Sequence, residues 1–112
     1  MRSYWKIVAT FTSAACLAGC AAMNTGAPPI NTAMIHSASG KGQSAETLAT
    51  GRRLLASRCT GCHALEPIAR YTPAEWRTNV AGMAKRAGIN AVEEGQITAY
   101  LTAARESLST VQ

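Results

Sequence analysis

Five consecutive residues, Cys59-Thr60-Gly61-Cys62-His63, constrain this chain more than any other stretch. They set two thiols three positions apart and put an imidazole directly after the second. The segment able to fold around them is short. Periodic apolar patterning runs from Ser44 to Leu108, about 65 residues, and its only aromatics are Tyr71, Trp76 and Tyr100. Domains below roughly 70–80 residues rarely stabilise themselves by side-chain packing alone, and usually carry a disulfide, a metal or another staple. The core of this chain therefore lacks something large and apolar, and the motif is where it would be held.

Three readings compete for the motif. A structural zinc takes four ligands. Cys59, Cys62 and His63 supply three, no Cys follows them, and the only other His is His36. Adjacent Cys62 and His63 also reach one tetrahedral ion poorly, so zinc is disfavoured. A redox-active dithiol sits at a helix N-terminus after a strand, where the dipole lowers the thiol pKa. Here a helical pattern precedes the pair, and His63 would have no part. Haem meets every constraint: cysteines at i and i+3 can form thioethers to the two vinyl groups of one porphyrin edge, and the next residue turns an imidazole under the iron. One covalent haem c, attached through Cys59 and Cys62 with His63 as an axial iron ligand, is the expectation.

The haem link is made outside the cytoplasm, and the start of the chain agrees. Arg2 and Lys6 precede an apolar or small run from Ile7 to Leu17, which ends in Leu17-Ala18-Gly19-Cys20. This predicts a secretory signal over 1–19, too short to span a bilayer stably. The four residues "LAGC" resemble the lipobox of bacterial lipoproteins. The resemblance implies lipidation of Cys20, which becomes the acylated first residue. Two or three acyl chains give a stable anchor where one is marginal. By the sorting pattern of enteric bacteria, Ala21 in place of an Asp points to the outer membrane, with the folded part in the periplasm.

Removing 1–19 takes away Cys16 and leaves only Cys59 and Cys62 for the folded part. Of 11 Lys and Arg, nine remain against six acidic residues, all Glu, so the balance falls from +5 to about +3. No basic run is dense or interleaved with aromatics, which argues against nucleic acid as a partner.

Residues 20–43 are rich in Ala, Asn, Thr, Gly, Ser and Pro, with no periodic apolar order. Such a segment buries too little surface to offset its ordering entropy, and reads as a flexible tether. Three helices are expected in the unit 44–112. Ser44 caps the first, which carries Leu48, Gly51, Leu54 and Leu55 and runs up to Cys59. Thr72-Pro73-Ala74-Glu75 forms a capping box with Pro at the first helical position, and Trp76, Val80, Met83 and Ala87 follow at helical spacing until Gly88. Asn90 with Glu93 caps the last, whose apolar face is Ile97, Tyr100, Leu101, Ala104 and Leu108.

With these elements placed, residues 44–108 resemble a small single-haem class I cytochrome c. Gly51 and Leu55, eight and four residues before Cys59, resemble the family's first helix, which packs on its last. Ile97-Thr98-Ala99-Tyr100-Leu101 resembles the family's "I-x-x-Y-L" on that last helix. Physically, Gly51 would let two backbones approach and Tyr100 would cover the gap. The first helix departs from the pattern in carrying Leu55 rather than an aromatic, and the interval from His63 to Met83 is short. The resemblance implies an all-α cytochrome c-like fold of three to four helices around one haem. It also implies a distal Met ligand, and Met83 is the one Met downstream of the motif. "W-x-x-x-V-x-x-M" (Trp76, Val80, Met83) resembles a subgroup seen alone or with periplasmic dehydrogenases.

For Met83 a plain core role is the alternative to ligation, and His36 is the other protein imidazole that could reach the iron. Trp76 belongs to the core, with an indole N–H that could reach a haem propionate. Arg52, Arg53, Arg58, Arg70, Arg77, Lys85 and Arg86 read mostly as solvated surface, some of them placed to ring a haem edge and steer an acidic partner. The leading expectation is an electron carrier rather than an enzyme, working between periplasmic redox proteins, with a dehydrogenase as one candidate donor. A haem enzyme or gas sensor with an open or displaceable sixth position, and a non-catalytic subunit of a larger complex, are the competing classes.

Overall fold

The structure, a computed structural model, describes residues 26–110. The signal segment, Cys20 and the acylation expected there lie outside the described residues. Among the described residues the fold is all-α: α1 (Thr32–Ser39), α2 (Ala45–Arg58), a 3₁₀ turn (Ile68–Arg70), α3 (Pro73–Ala87) and α4 (Ala91–Ser109). No helix among them is long and apolar enough to cross a membrane.

The helix ends follow from local chemistry. Ser44 Oγ accepts the Thr47 N–H at 3.0 Å and starts α2. Both halves of a capping box are formed at Thr72/Glu75 and again at Asn90/Glu93, and Asn90 also accepts the Val92 N–H, so backbone amides that the helix starts leave unpaired are satisfied by side chains. The Thr72 N–H and Oγ–H both donate to the Glu75 carboxylate and hold its pKa below the usual range. Gly88, at φ 64°, adopts the left-handed conformation that ends α3.

α2 and α4 form the centre of the fold. A β-carbon at Gly51 would lie 2.0 Å from the Gln96 carbonyl oxygen, so only glycine lets the two backbones come this close. Leu48, Ile97 and Tyr100 close the crossing with no exposure at all. On α4 the expected face of Ile97, Tyr100, Leu101 and Ala104 is buried, but Leu108 is not: it is 43% exposed. Thr102, Ala103 and Ser107 are buried instead. Burial has moved round the helix because a further element packs on it.

That element corrects the tether. Residues 26–43, expected to be a flexible link, contain α1, which packs against α4 and buries Met34 (1% exposed) and Ala38 (3%). Asn31 caps it, its side chain accepting the Met34 N–H at 2.9 Å. Ser37 and Lys41 both bind the Glu106 carboxylate on α4. Burial pushes that carboxyl's pKa up, but the two partners outweigh it and hold the group below its usual value. Ahead of α1, Ala27 and Pro28 are pinned by long-range bonds. Tyr100 Oη donates to the Pro28 carbonyl at 2.6 Å, and Arg52 Nε donates to the Ala27 and Pro28 carbonyls, each at 3.1 Å. Arg52 is thus a half-buried clamp rather than solvated surface. Composition concealed the segment because its order comes from partners some 25–72 positions away.

Candidate functional site

α2 delivers the motif. Its last residue is Arg58, and Cys59 is the C-cap, with its N–H bonded to the Leu55 carbonyl at 3.1 Å. Thr60 Oγ1 bonds back to the Ala56 carbonyl at 2.8 Å, which folds Thr60-Gly61-Cys62-His63 into a turn directly after the helix. α3 enters from the 3₁₀ turn, fixed by Trp76: its indole N–H donates to the Ile68 carbonyl at 3.0 Å, and its ring meets Tyr71 edge-to-face at 5.0 Å.

Between these elements lies a cleft of about 370 Å³, at the lower end of the roughly 300–1,000 Å³ that small-molecule and cofactor sites occupy. Cys59, Cys62 and His63 line it from the motif, and Trp76, Val80, Met83 and Ala87 line it from α3. Leu55, Leu65, Ile89 and Leu101 complete an apolar wall, while Arg58, Arg86 and Glu66 bring the charge. All five expected site residues of the folded part therefore border one space. His36 stays exposed on α1 and does not border it.

The states of the individual groups bear on what the cleft can hold. Cys59 is half-buried and burial pushes its thiol pKa up. It also sits at the C-terminal end of a helix, where the dipole opposes a thiolate. Both effects run against the activated thiol of a redox dithiol, which needs a lowered pKa. The two thiols are free. Among the described residues no three His, Cys, Asp or Glu side chains group to hold one metal ion.

His63 is exposed, and its Nδ1 lies 2.7 Å from the Ala64 carbonyl oxygen. A carbonyl can only accept, so Nδ1 carries a proton, and Nε2 is the ring nitrogen left to ligate. Metal-ligating histidines are held this way, with the second nitrogen donating to a carbonyl or carboxylate. A haem thus fits the residues present. Two thiols and a ligand-ready imidazole border an apolar cleft, and a thioether borders it from a different helix.

One expectation is corrected. Trp76 lines the cleft with its ring, but its N–H is committed to Ile68 and is not free for a propionate. Two features escaped sequence reading. Arg58 and Arg86 are the cations that reach the cleft, out of seven treated alike. Gly26 also borders it, packed so closely on the loop that a β-carbon there would lie 2.4 Å from Leu65 Cβ. The signal for Gly26 was absent because nothing local orders residues 26–28. Comparison with protein-family models, curated proteins and solved structures finds no match.

Proposed function

We propose that this chain is a c-type electron-transfer protein. In this reading Cys59 and Cys62 would hold one haem through thioethers, His63 and Met83 would ligate its iron, and Cys20 would carry a lipid anchor on the periplasmic side of a bacterial membrane. The observation that carries the reading is the convergence of Cys59, Cys62, His63 and Met83 on one apolar cleft. Bound there, haem iron would supply a one-electron couple, with a neutral thioether favouring the reduced state and raising the potential.

The chain's own residues then have separable tasks. Cys59 and Cys62 fix the group to the turn after α2. The Ala64 carbonyl keeps His63 in the tautomer that presents Nε2. Leu55, Val80 and Leu101 keep water from the buried side. Arg58 and Arg86 border the same cleft and favour encounter with a negatively charged partner surface, which raises the on-rate more than the affinity. A donor such as a dehydrogenase and a terminal acceptor complete the chain of transfer, and the protein itself turns over no substrate.

Met83 provides the test. Oxidised wild type is expected to be low-spin with the weak far-red absorption of an iron–thioether bond. Met83→Ala should abolish that band, give high-spin or water-ligated iron, lower the potential and raise CO affinity. Helix content should persist on Trp76, Val80 and Ala84. A wild type that is already high-spin and binds CO readily would leave Met83 a wall residue and make the chain a haem enzyme or sensor.

A further inference from the structure

The covalent distance between Cys20 and the cleft is much shorter than the sequence implies. If 20–43 were a tether, it could extend about 80 Å from anchor to domain at roughly 3.4 Å per residue. Residues 26–28 instead pack on the folded unit, and Gly26 itself borders the cleft. Only six residue steps separate it from Cys20, at most about 20 Å when fully extended.

The segment that follows is not one that peels away to lengthen this leash. Ala27 is 4% exposed. Its carbonyl and that of Pro28 accept from Arg52 on α2, and the Pro28 carbonyl also accepts from Tyr100 on α4. Gly26 abuts Leu65 in the loop that bears His63. Releasing the strap would therefore break three hydrogen bonds and strip the cleft of part of its own wall.

We infer that residues 26–30 act as a strap that keeps the cleft wall at Gly26 within about 20 Å of the membrane surface. This rests on the lipid anchor and haem of the proposed function. The redox partner it fits is one whose exchange site lies at that same surface, held on the membrane, rather than one met tens of ångströms out in the periplasm.

The test uses the full lipidated, haem-loaded chain on vesicles of phosphatidylethanolamine and phosphatidylglycerol that carry a headgroup fluorophore, whose emission haem quenches over short range. It is compared with a variant carrying about 24 Gly and Ser residues between Thr25 and Gly26. The Gly and Ser insert by itself has an r.m.s. span of about 27 Å, at about 5–6 Å × √n, set against at most about 20 Å of chain between Cys20 and Gly26 without it, and quenching should fall at least about three-fold. Both proteins should float with the vesicles and share one visible spectrum. Equal quenching in two floating, haem-loaded proteins overturns the strap and leaves the proposed function standing. A wild type that stays in the aqueous phase removes the lipid anchor itself, and the inference falls with it.

Discussion

The α2–α4 crossing and the cleft beside it share two helices, with α3 and the motif turn added at the cleft, yet they are closed in opposite ways. At the crossing, Gly51 lies against the Gln96 carbonyl, and Leu48, Ile97 and Tyr100 leave no exposed surface. One turn further along each helix, Leu55 and Leu101 face a cleft of about 370 Å³ that no side chain fills. The contrast shows where packing is complete and where it is left to something else. A chain with so few aromatics has joined its helices by bringing backbones together and has kept its large apolar walls for the cleft.

The largest effect should come from the open side. On the reading proposed here, Cys59→Ser with Cys62→Ser removes both attachment points, and the wall of Leu55, Val80 and Leu101 loses its filling. The variant should be haem-free and largely unfolded by circular dichroism at 25 °C. A double variant with native helix content and a cooperative thermal transition would mean that the closed side alone suffices.

Next is the crossing. Gly51→Ala puts a methyl group where only 2.0 Å is available, against backbone that cannot rotate away. Overpacking of this kind costs about 1–3 kcal/mol and at times more, and about 3 kcal/mol is expected here by denaturant titration. The absorption spectrum should change little, because the displaced contact is not part of the cleft wall. A loss below about 0.5 kcal/mol would show that the helices part without strain.

How much of this was legible in the sequence depends on how local each cause was. The caps at Ser44, Thr72 and Asn90 and the stop at Gly88 are all written within a few residues, and each is found as expected; the close approach at Gly51, to a partner far along the chain, was legible only through the family resemblance. The motif and Met83 also fall on one cleft, because helical spacing put Met83 on the same side of α3 as Trp76 and Val80. What was not legible is held from a distance. α1 has small residues, and its order depends on Glu106 and the α4 surface. The exposure of Leu108 follows from the same packing, which turns α4 toward Ala103 and Ser107. Trp76 gave its N–H to a carbonyl in a 3₁₀ turn that no periodicity announces.

The smallest effect concerns the seam between crossing and strap. Burial pushes the Tyr100 phenol up to about 12, although nearby Arg52 pulls the other way. Because the folded state keeps this proton longer than the unfolded chain, its contribution is complete below pH 10 and is lost as pH rises from 10 towards about 12. A decline on the order of 2 kcal/mol across that window is expected from the shift. Tyr100→Phe should flatten it while costing about 1 kcal/mol at neutral pH, since the Pro28 carbonyl keeps only Arg52. Wild type and Tyr100→Phe with parallel stability curves above pH 10 would break the link between Tyr100 and the strap.

The central claim is that Cys59 and Cys62 are bonded to a haem, and intact-mass spectrometry of the denatured chain tests it most directly. The protein is expressed with its export signal in a bacterium that matures c-type cytochromes, then unfolded in acidified solvent so that any group held only by packing or ligation is released. The mass should exceed that of the polypeptide and its acyl chains by one haem, and the Cys59→Ser, Cys62→Ser variant should lack the increment. A wild type that shows only the polypeptide and acyl chains, while haem separates into the solvent, would contradict the account.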